Sequence, residues 1–380
     1  MTLKNEYEIL RGGVIPDLPS PSDVPCFETS DADRLCRSPL VSVHMMTYNH
    51  ESYIRQAIEG VMMQQTDFEY ELVIGEDCSQ DRTREICFEY QKRYPEKIRV
   101  LWSEHNVFSI GGNDVRTTAN CRGEFIAICE GDDYWTDPRK LQKQVDVMRM
   151  RPNVALCFTG ADIWDTTTDR HREWSGVHDY DVGLIRGADF ARTHLWGHNP
   201  NCPGADFSFI VTGTTLFRRA VYEKAVEKFE LMSWNLYLGD SQTWLGLAAL
   251  GDVYYLPDQT AVYRRNEGGL TKTSMRKVGI DATLVRLFFA TEVFKRISRR
   301  FPTFWLNATA VSLLAWQFGK GKSEIRKTYR QICATRYAFL LRRLWVLPVR
   351  LAFCCGIASP ILTNNLRRFY NFRPFKLFYR

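Results

Sequence analysis

The chain has 380 residues, of which 45% are hydrophobic, 25% charged and 13% aromatic. This mixture is that of a globular protein with ample core, and it excludes collagen-like, low-complexity and disordered chains. The formal net charge of +6 is unevenly distributed, because twelve lysines and arginines and no acidic residue follow Glu324. We therefore expect an acidic globular body with a basic, apolar tail, whose partner is a surface of opposite charge.

The first half of the chain alternates between short apolar runs and stretches of helical periodicity. Residues 1–39 are rich in Pro, Ser and Asp and are predicted to be an irregular lead-in. Strands are then predicted at 40–46, 70–75, 98–102 and 124–129, and helices at 51–65, 82–94, 112–121 and 138–151. This alternation indicates βαβ units and an α/β fold with a mostly parallel sheet flanked by helices.

The second half has a mixed pattern. It predicts strands at 207–217, 252–256 and 261–265, helices at 219–229 and 239–250, and a helical pattern from about Ser274 onward. We divide the chain into the lead-in (1–39), an α/β domain (40–272), a helical segment (273–324) and a basic amphipathic tail (325–380).

The opening residues contain no apolar leader, and the eleven cysteines show no spacing typical of a metal site. Both features favour reduced thiols and a cytoplasmic location.

Polar side chains follow the predicted strands at the points where these strands end. Thr47-Tyr48-Asn49 follows the first strand, Asp77 follows the second, and Asp132-Asp133 follows the strand at 124–129. Ligands of parallel sheets bind beyond the carboxyl ends of the strands, so we expect these residues to lie at one edge. The glycine-rich fingerprint of dinucleotide-binding folds and the P-loop are both missing from the sequence, which disfavours dinucleotide oxidoreductases and P-loop enzymes.

The two aspartates at 132–133 suit a divalent cation. Adjacent carboxylates repel each other unless a cation neutralises them. Mg²⁺ or Mn²⁺ commonly takes one or two carboxylates together with substrate phosphates, so a metal–diphosphate site fits this pair. The alternative is a solvated loop in which aspartate serves as turn former and helix cap.

Three further features allow both a functional and a structural interpretation. Asp77 can accept an N–H of a base or a ribose hydroxyl, although the same segment can simply cap the next helix. Asp240, at the start of a predicted helix, is either a general base or an N-cap. Arg264 and Arg265 either stabilise a diphosphate or are ordinary surface arginines.

Three motifs occur in a characteristic order: VSVHMMTYNHESYIRQAIEGVMMQQ, YELVIGEDCSQDRT and EFIAICEGDDYWTDPRKLQKQ. Together they resemble the inverting family 2 glycosyltransferases, which use nucleotide sugars and have the Rossmann-like GT-A fold. The resemblance runs from about Pro39 to Val154 and continues more weakly through Thr212–Arg219 and Gly239–Arg265. It implies that residues 40–272 are a catalytic domain that moves a sugar to an acceptor hydroxyl with inversion.

The resemblance also implies the binding site of the donor nucleotide. Thr47, Tyr48, Asn49 and Asp77 match nucleotide-binding positions, with Asp77 facing the base. The expected donor is a nucleotide sugar, with a UDP-sugar first among the candidates. The expected acceptor is a glycan or a lipid-linked glycan.

The remaining matches concern the reacting end of the donor. Asp132 and Asp133 match the region that holds Mn²⁺ or Mg²⁺ against the diphosphate, and Asp132 is also expected to bind the nucleotide sugar. Asp240 matches the catalytic base. Arg264 and Arg265 lie in the segment expected to close over the diphosphate.

Two positions depart from the pattern of this family. Asn266 stands where the family often has a histidine that binds metal or phosphate, so that role is in doubt. Gly239 stands where an acidic residue often precedes the base. These departures keep open a non-catalytic scaffold built on a degenerate glycosyltransferase domain. A different metal-dependent, nucleotide-using transferase is the third interpretation.

The tail mixes Arg and Lys with Trp, Phe, Tyr and Leu. Its best apolar window, Leu344–Leu362, contains Arg350 and two prolines, so a membrane-spanning helix is poorly supported. The composition favours an interfacial segment on an anionic membrane. A spanning or re-entrant segment and a helix docked on the domain are the alternatives. We expect a cytoplasmic protein on the inner face of a membrane, and the absence of nucleic-acid-binding motifs argues against nucleic acid as partner.

Overall fold

The structure, a computed structural model, describes residues 2–11, 13–173, 180–196, 210–236, 239–266 and 281–294 without 282, 283 and 286. The helices are α1 (Leu3–Arg11), α2 (Ile54–Met62), α3 (Thr83–Arg93), α4 (Gly112–Ala119), α5 (Lys140–Met150), α6 (Gly187–Trp196), α7 (Arg219–Lys228) and α8 (Gly239–Ala248). The strands are β1 (Phe27–Thr29), β2 (Val41–Thr47), β3 (Tyr70–Glu76), β4 (Ile98–Trp102), β5 (Phe125–Ile128), β6 (Tyr134–Trp135), β7 (Val154–Asp165), β8 (Arg170–Glu173), β9 (Gly183–Ile185), β10 (Thr215–Arg218) and β11 (Asp252–Arg265).

Strands β2 to β5 form the parallel half of the sheet, in the spatial order β4-β3-β2-β5. All seven residues of β3 are buried, which is typical of a central strand covered by helices on both faces. The chain moves outward from β2 to β4 and then returns to β5 on the other side of β2. Strands β2 and β5 therefore flank the switch point of the sheet, where ligands bind in α/β proteins.

The other half makes the sheet mixed. Strand β10 runs antiparallel between β5 and β7, and β11 pairs parallel with β7. The two short strands predicted at 252–256 and 261–265 are one strand, β11, whose register against β7 shifts around Gln259. Tyr134-Trp135 is strand β6, which pairs with β11 and brings the residues after β5 against the end of β11.

The lead-in is more ordered than its composition predicts. It contains helix α1, a 3₁₀ turn at Pro21–Asp23 and strand β1, which pairs antiparallel with β4. Tyr7 is fully buried, with its ring centroid 5.3 Å from that of Trp234. The prediction of an irregular lead-in is therefore wrong for α1 and β1, which contact Trp234 and strand β4 respectively.

Apolar side chains cover both faces of the sheet. One core cluster packs α2, α3 and α5 against β2, β3 and β5, and includes Ile58, Ile86 and Val145. The second packs α6 and α8 against β7 and β11, and includes Phe190 and Trp244. The expected α/β fold with flanking helices is confirmed.

The described part of the predicted helical segment is residues 281–294, which include a π-helical turn at Phe289–Val293. The rest of 273–324 and the whole tail at 325–380 lie outside the described residues, so the domain boundaries stay a prediction. Within the described residues, no helix is both long and apolar enough to cross a membrane.

Candidate active site

The predicted site residues of the first half meet at the switch point of the sheet. The N–H of Asp77 donates to the carbonyl of Thr47 at 3.1 Å, and the N–H of Gly131 donates to the carbonyl of Met46 at 2.9 Å. A Cβ added at Gly131 would lie 2.6 Å from Thr47 Oγ1, so only glycine permits this close approach. The ends of β2, β3 and β5 are thereby held together at one edge.

The turn after β2 is hydrogen-bonded to the loop after β3 through Asn49. Asn49 adopts a left-handed conformation (φ 54°), which asparagine tolerates better than most residues. Its N–H donates to Ser79 Oγ at 3.0 Å, and its Oδ1 accepts from the N–H of Gln80 at 2.7 Å. Thr47 is buried, whereas Tyr48 keeps 41% of its surface exposed. Of the three predicted residues, Tyr48 and Asn49 are exposed, and Thr47 is not.

Asp77 is a buried hydrogen-bond acceptor. Its Oδ1 accepts from the N–H of Val107 at 2.9 Å, while its Oδ2 is buried and has no partner among the described residues. Burial raises the pKa of this carboxyl. An unpartnered buried oxygen is costly, so it indicates a group that a ligand completes. The Val107 contact comes from a main-chain N–H and has no signal in the sequence.

The two adjacent aspartates after β5 have different environments. The side chain of Asp132 is 23% exposed, and its Oδ2 accepts from Asn266 Nδ2 at 3.0 Å. Asp133 is buried, and its Oδ1 accepts from the N–H of Arg264 at 2.8 Å. Burial raises the pKa of Asp133 well above its usual range. Asp132 therefore faces the site, and Asp133 ties β11 to the loop after β5.

The two arginines at the end of β11 also differ. Arg264 is 2% exposed, and it donates to the carbonyl of Asp132 at 2.6 Å and to Gln56 Oε1. Its guanidinium lies between aromatic rings, at 4.4 Å from the ring centroid of Tyr134, 5.2 Å from Tyr53 and 5.5 Å from Trp164. Arg265 is exposed. The structure therefore places Arg264 beneath the Asp132 loop as a support.

Two further ionisable residues at this edge are not among the predicted site residues. His50 Nε2 lies 4.0 Å from Asp132 Oδ2, and burial lowers the pKa of His50. Glu130 is partly buried, and burial raises the pKa of its carboxyl to about 8. Both lie within the motifs that carry the resemblance, so position in those motifs was the available signal.

The residues at Asp132 fit a divalent cation held by one protein carboxylate. Mg²⁺ and Mn²⁺ commonly bind through one or two carboxylates and complete their shell with substrate phosphates and water. Asp132 offers such a carboxylate, whereas the buried Asp133 already accepts from a main-chain N–H. Within the described residues, no three His, Cys, Asp or Glu side chains form a metal cluster. Asp133 therefore fits the predicted role of metal ligand poorly.

Asp240 lies in the first turn of α8, as the sequence predicts. Its Oδ1 accepts from the N–H of Ser241 at 2.7 Å, and burial raises the pKa of the carboxyl to about 6. A carboxylate with this pKa is a stronger base than an ordinary aspartate and still ionised at pH 7. Helix α8 packs on strands β7 and β11, and β11 is the strand that carries Arg264.

Comparison with known proteins supports a glycosyltransferase domain. Residues 42–225 match the family model described as Glycosyl transferase family 2. An uncharacterized protein of Mycobacterium tuberculosis is 31% identical over 231 residues, which are 60% of this chain and 60% of that protein. An uncharacterized glycosyltransferase of Nostoc sp. is 29% identical over 224 residues, or 59% of this chain and 64% of that one. The chain thus aligns with less than two thirds of these relatives.

The solved structures include a neighbour with the same fold. TarS 1–349 of S. aureus, determined in complex with UDP-GlcNAc, matches with a TM-score of 0.51 and 16% identity. The match covers 82% of this chain and 91% of that chain. At this identity the likeness concerns the fold, and it confirms the predicted GT-A architecture.

Proposed function

We propose that this protein is an inverting glycosyltransferase that transfers a sugar from a nucleoside-diphosphate sugar to an acceptor hydroxyl. One observation carries the proposal: a buried acceptor oxygen at Asp77 and a partly exposed carboxylate at Asp132 lie at the switch point of one GT-A sheet. The Asp77 oxygen can accept a hydrogen bond from the base of the donor, and the Asp132 carboxylate can bind the cation that accompanies its diphosphate. The family match and the fold shared with TarS, which binds UDP-GlcNAc, support the same conclusion.

The donor end at Asp77 supports a pyrimidine nucleotide, uridine or thymidine. Oδ1 already accepts from the N–H of Val107, and the unpartnered Oδ2 is the oxygen that a base would satisfy. A single unpartnered acceptor matches the single N–H of uracil or thymine, which lies between two carbonyls. Guanine would present two neighbouring donors to the one unpartnered oxygen.

The chemical step follows from the side chains proposed to act. Asp240 takes the proton of the acceptor hydroxyl as the oxygen of that hydroxyl attacks the anomeric carbon. The bond from that carbon to the diphosphate oxygen breaks on the opposite face, so one displacement inverts the configuration. The buried Arg264 holds the carbonyl of Asp132 and orients the loop that faces the donor. Arg265, whose side chain is exposed, is proposed to contact the phosphates.

The cofactor that fits is Mn²⁺ or Mg²⁺ at Asp132. When bound, such an ion offsets the negative charge that grows on the leaving diphosphate. Asn266 donates to the Asp132 carboxylate at 3.0 Å and so orients it. Asn266 is therefore proposed to support the metal ligand Asp132 without binding the ion itself.

A donor screen tests this function. Purified protein with Mn²⁺ or Mg²⁺ is offered UDP-, GDP- and dTDP-sugars, and released nucleoside diphosphate is measured with and without EDTA. We expect EDTA-sensitive release from a UDP-sugar, with kcat falling as the pH drops below about 6, because protonated Asp240 cannot accept a proton.

Asp240→Asn identifies the base in the same assay. We expect turnover to fall by ~10²–10⁴-fold, with donor affinity changed by only a few-fold. Asp67→Asn, at a side chain 63% exposed, is the matched control and should turn over like wild type. Wild-type turnover by Asp240→Asn would refute the base assignment. Failure of every donor both to bind and to react would instead favour the degenerate scaffold.

The tail is proposed to dock the protein on the cytoplasmic face of an anionic membrane. The support is its sequence: twelve basic residues interleaved with aromatic and aliphatic ones. Such segments bind anionic interfaces through both charge and apolar area. Docking of this kind would bring the active site to a lipid-linked acceptor.

A further inference from the structure

A chain of hydrogen bonds leads from the interior of the protein to the first turn of α8. The hydroxyl of Tyr180 lies 3.0 Å from His194 Nδ1, and His194 Nε2 lies 3.1 Å from Ser241 Oγ. The N–H of Ser241 then donates to Asp240 Oδ1 at 2.7 Å. We propose that Tyr180 and His194 are positioning residues that hold the Asp240 carboxylate, through Ser241, in one orientation for proton abstraction. The inference rests on the proposed role of Asp240 as base.

Packing holds the inner two residues of this hydrogen-bond chain, Tyr180 and His194, in place. Tyr180 is 5% exposed and His194 is 3% exposed, so neither ring is free to swing into solvent. The ring of Phe190 stacks on both, with centroid distances of 5.2 Å to Tyr180 and 5.4 Å to His194 and interplanar angles of 17° and 15°. An imidazole packed in this way keeps both of its nitrogens aimed at fixed points, since rotation would break the stack.

The chemistry of imidazole suits it to link two hydroxyls. A neutral histidine offers one N–H donor and one bare nitrogen acceptor. Each nitrogen of His194 faces one hydroxyl, and a hydroxyl can either donate or accept. Both ring nitrogens therefore have a hydrogen-bond partner in either tautomer. The link needs the ring in one orientation but does not depend on which nitrogen carries the proton.

The first turn of a helix needs such a link. The leading N–H groups of a helix have no intrahelical partners, so first turns fray unless side chains hold them. Asp240 uses one carboxylate oxygen, Oδ1, to accept from the Ser241 N–H. The proposal assigns the acceptor hydroxyl to the other oxygen, Oδ2, which is placed correctly only while the turn keeps its shape. His194, on the neighbouring helix α6, fixes that shape through Ser241.

Two substitutions test the proposal in the donor-release assay, in which water is the acceptor. Tyr180→Phe removes only the outer hydroxyl, and His194→Phe keeps an aromatic ring but removes both hydrogen bonds. We expect kcat to fall about 10-fold in the first and about 100-fold in the second, because small misplacement of a reacting group is costly. The donor KM should stay within about 2-fold in both, since neither residue belongs to the switch-point site.

The pH profile separates positioning from a general loss of structure. The hydrogen bond from the Ser241 N–H lowers the pKa of Asp240. A turn that is no longer held weakens this bond, so the acid limb of kcat should move to higher pH in both variants. The matched control is Tyr70→Phe, which removes a buried hydroxyl bonded to the carbonyl of Val61 at 3.1 Å at the far end of β3. It should leave both kcat and the acid limb unchanged.

The outcomes distinguish this inference from the proposed function. If Asp240→Asn is inactive while Tyr180→Phe and His194→Phe behave like Tyr70→Phe, the positioning role is refuted and the base assignment stands. If Asp240→Asn stays active, the base assignment fails. Crystal structures of wild type and Tyr180→Phe give a readout that needs no activity: an unchanged, ordered Asp240 rotamer in the variant would overturn the inference.

Discussion

Substitution of Arg264 by methionine separates a structural arginine from a phosphate ligand. The sequence places Arg264 and Arg265 side by side and gives both the same predicted role. The structure buries Arg264 among Tyr53, Tyr134 and Trp164, and its guanidinium donates to the carbonyl of Asp132. Methionine fills much of the same space but carries no donors and no charge, so Arg264→Met tests the buried contacts.

The magnitude follows from those contacts. A hydrogen bond from a charged donor contributes ~1.5–3 kcal/mol, and Arg264 makes two of them, to Asp132 and to Gln56. Stacking on the rings adds ~0.5–2 kcal/mol per close pair, although such terms are not additive. We expect the free energy of unfolding to fall by about 3 kcal/mol, which lowers Tm by roughly 6–12 °C in a domain of this size.

The assay pairs thermal unfolding with donor titration. Arg265→Met is the matched control, because that side chain is exposed and should leave Tm within about 2 °C of wild type. It should instead weaken donor binding by about 3–10-fold, as expected for an exposed charge that contacts phosphates. If Arg264→Met keeps the wild-type Tm and loses donor affinity more than Arg265→Met does, the sequence prediction was correct and the buried-support interpretation is refuted.

Two further predictions concern the ends of the chain. Deletion of residues 1–29 should destabilise the protein by at least ~3–6 kcal/mol, since burial of Tyr7 and Ile15 alone contributes about that much. Urea unfolding measures the loss, a variant that lacks only residues 1–2 is the control, and an unchanged midpoint would show the lead-in to be dispensable. The full chain should float with liposomes that contain anionic lipid but not with neutral ones, and should lose that binding at high salt. Absence of flotation with either liposome would remove the membrane proposal.

The sequence predicted the parallel half of the sheet well because its signals are local. Strands β2 to β5 are short apolar runs separated by helical periodicity, and the elements found agree with those expected within a few residues. The prediction for the lead-in was wrong for the opposite reason, because the contacts that order it are distant in the sequence. Its buried residues, Tyr7, Ile15 and Val24, are far apart in the sequence; Tyr7 packs against Trp234, and Val24 lies beside Gly112 at the start of helix α4.

The sequence predicted that the polar residues after β2, β3 and β5 meet at one edge of the sheet, as they do, but not how their contacts differ. The sequence could place Asp132 and Asp133 at a strand end, yet it could not say which carboxylate the main chain of β11 would occupy. The same limit applies to Arg264 and Arg265, because only the pairing of β11 with β6 and β7 decides which side chain turns inward. Distant pairing of this kind leaves no trace in the spacing of neighbouring residues.

The charge balance at the switch point links the proposed cofactor to the proposed donor. Among the described residues, the carboxyl groups of Asp77, Glu130, Asp132 and Asp133 lie along this edge, and burial raises the pKa of Asp77, Glu130 and Asp133. The guanidinium of Arg264 lies beneath them rather than among them. A diphosphate brought to this edge would meet acceptors of its own sign, and the raised pKa values reduce that repulsion only in part. Because Asp132 keeps a partly exposed carboxylate, the proposed cation held there would convert an acidic edge into a diphosphate site. On this reasoning metal dependence and donor binding are one property of the site, so EDTA should weaken donor affinity as well as turnover.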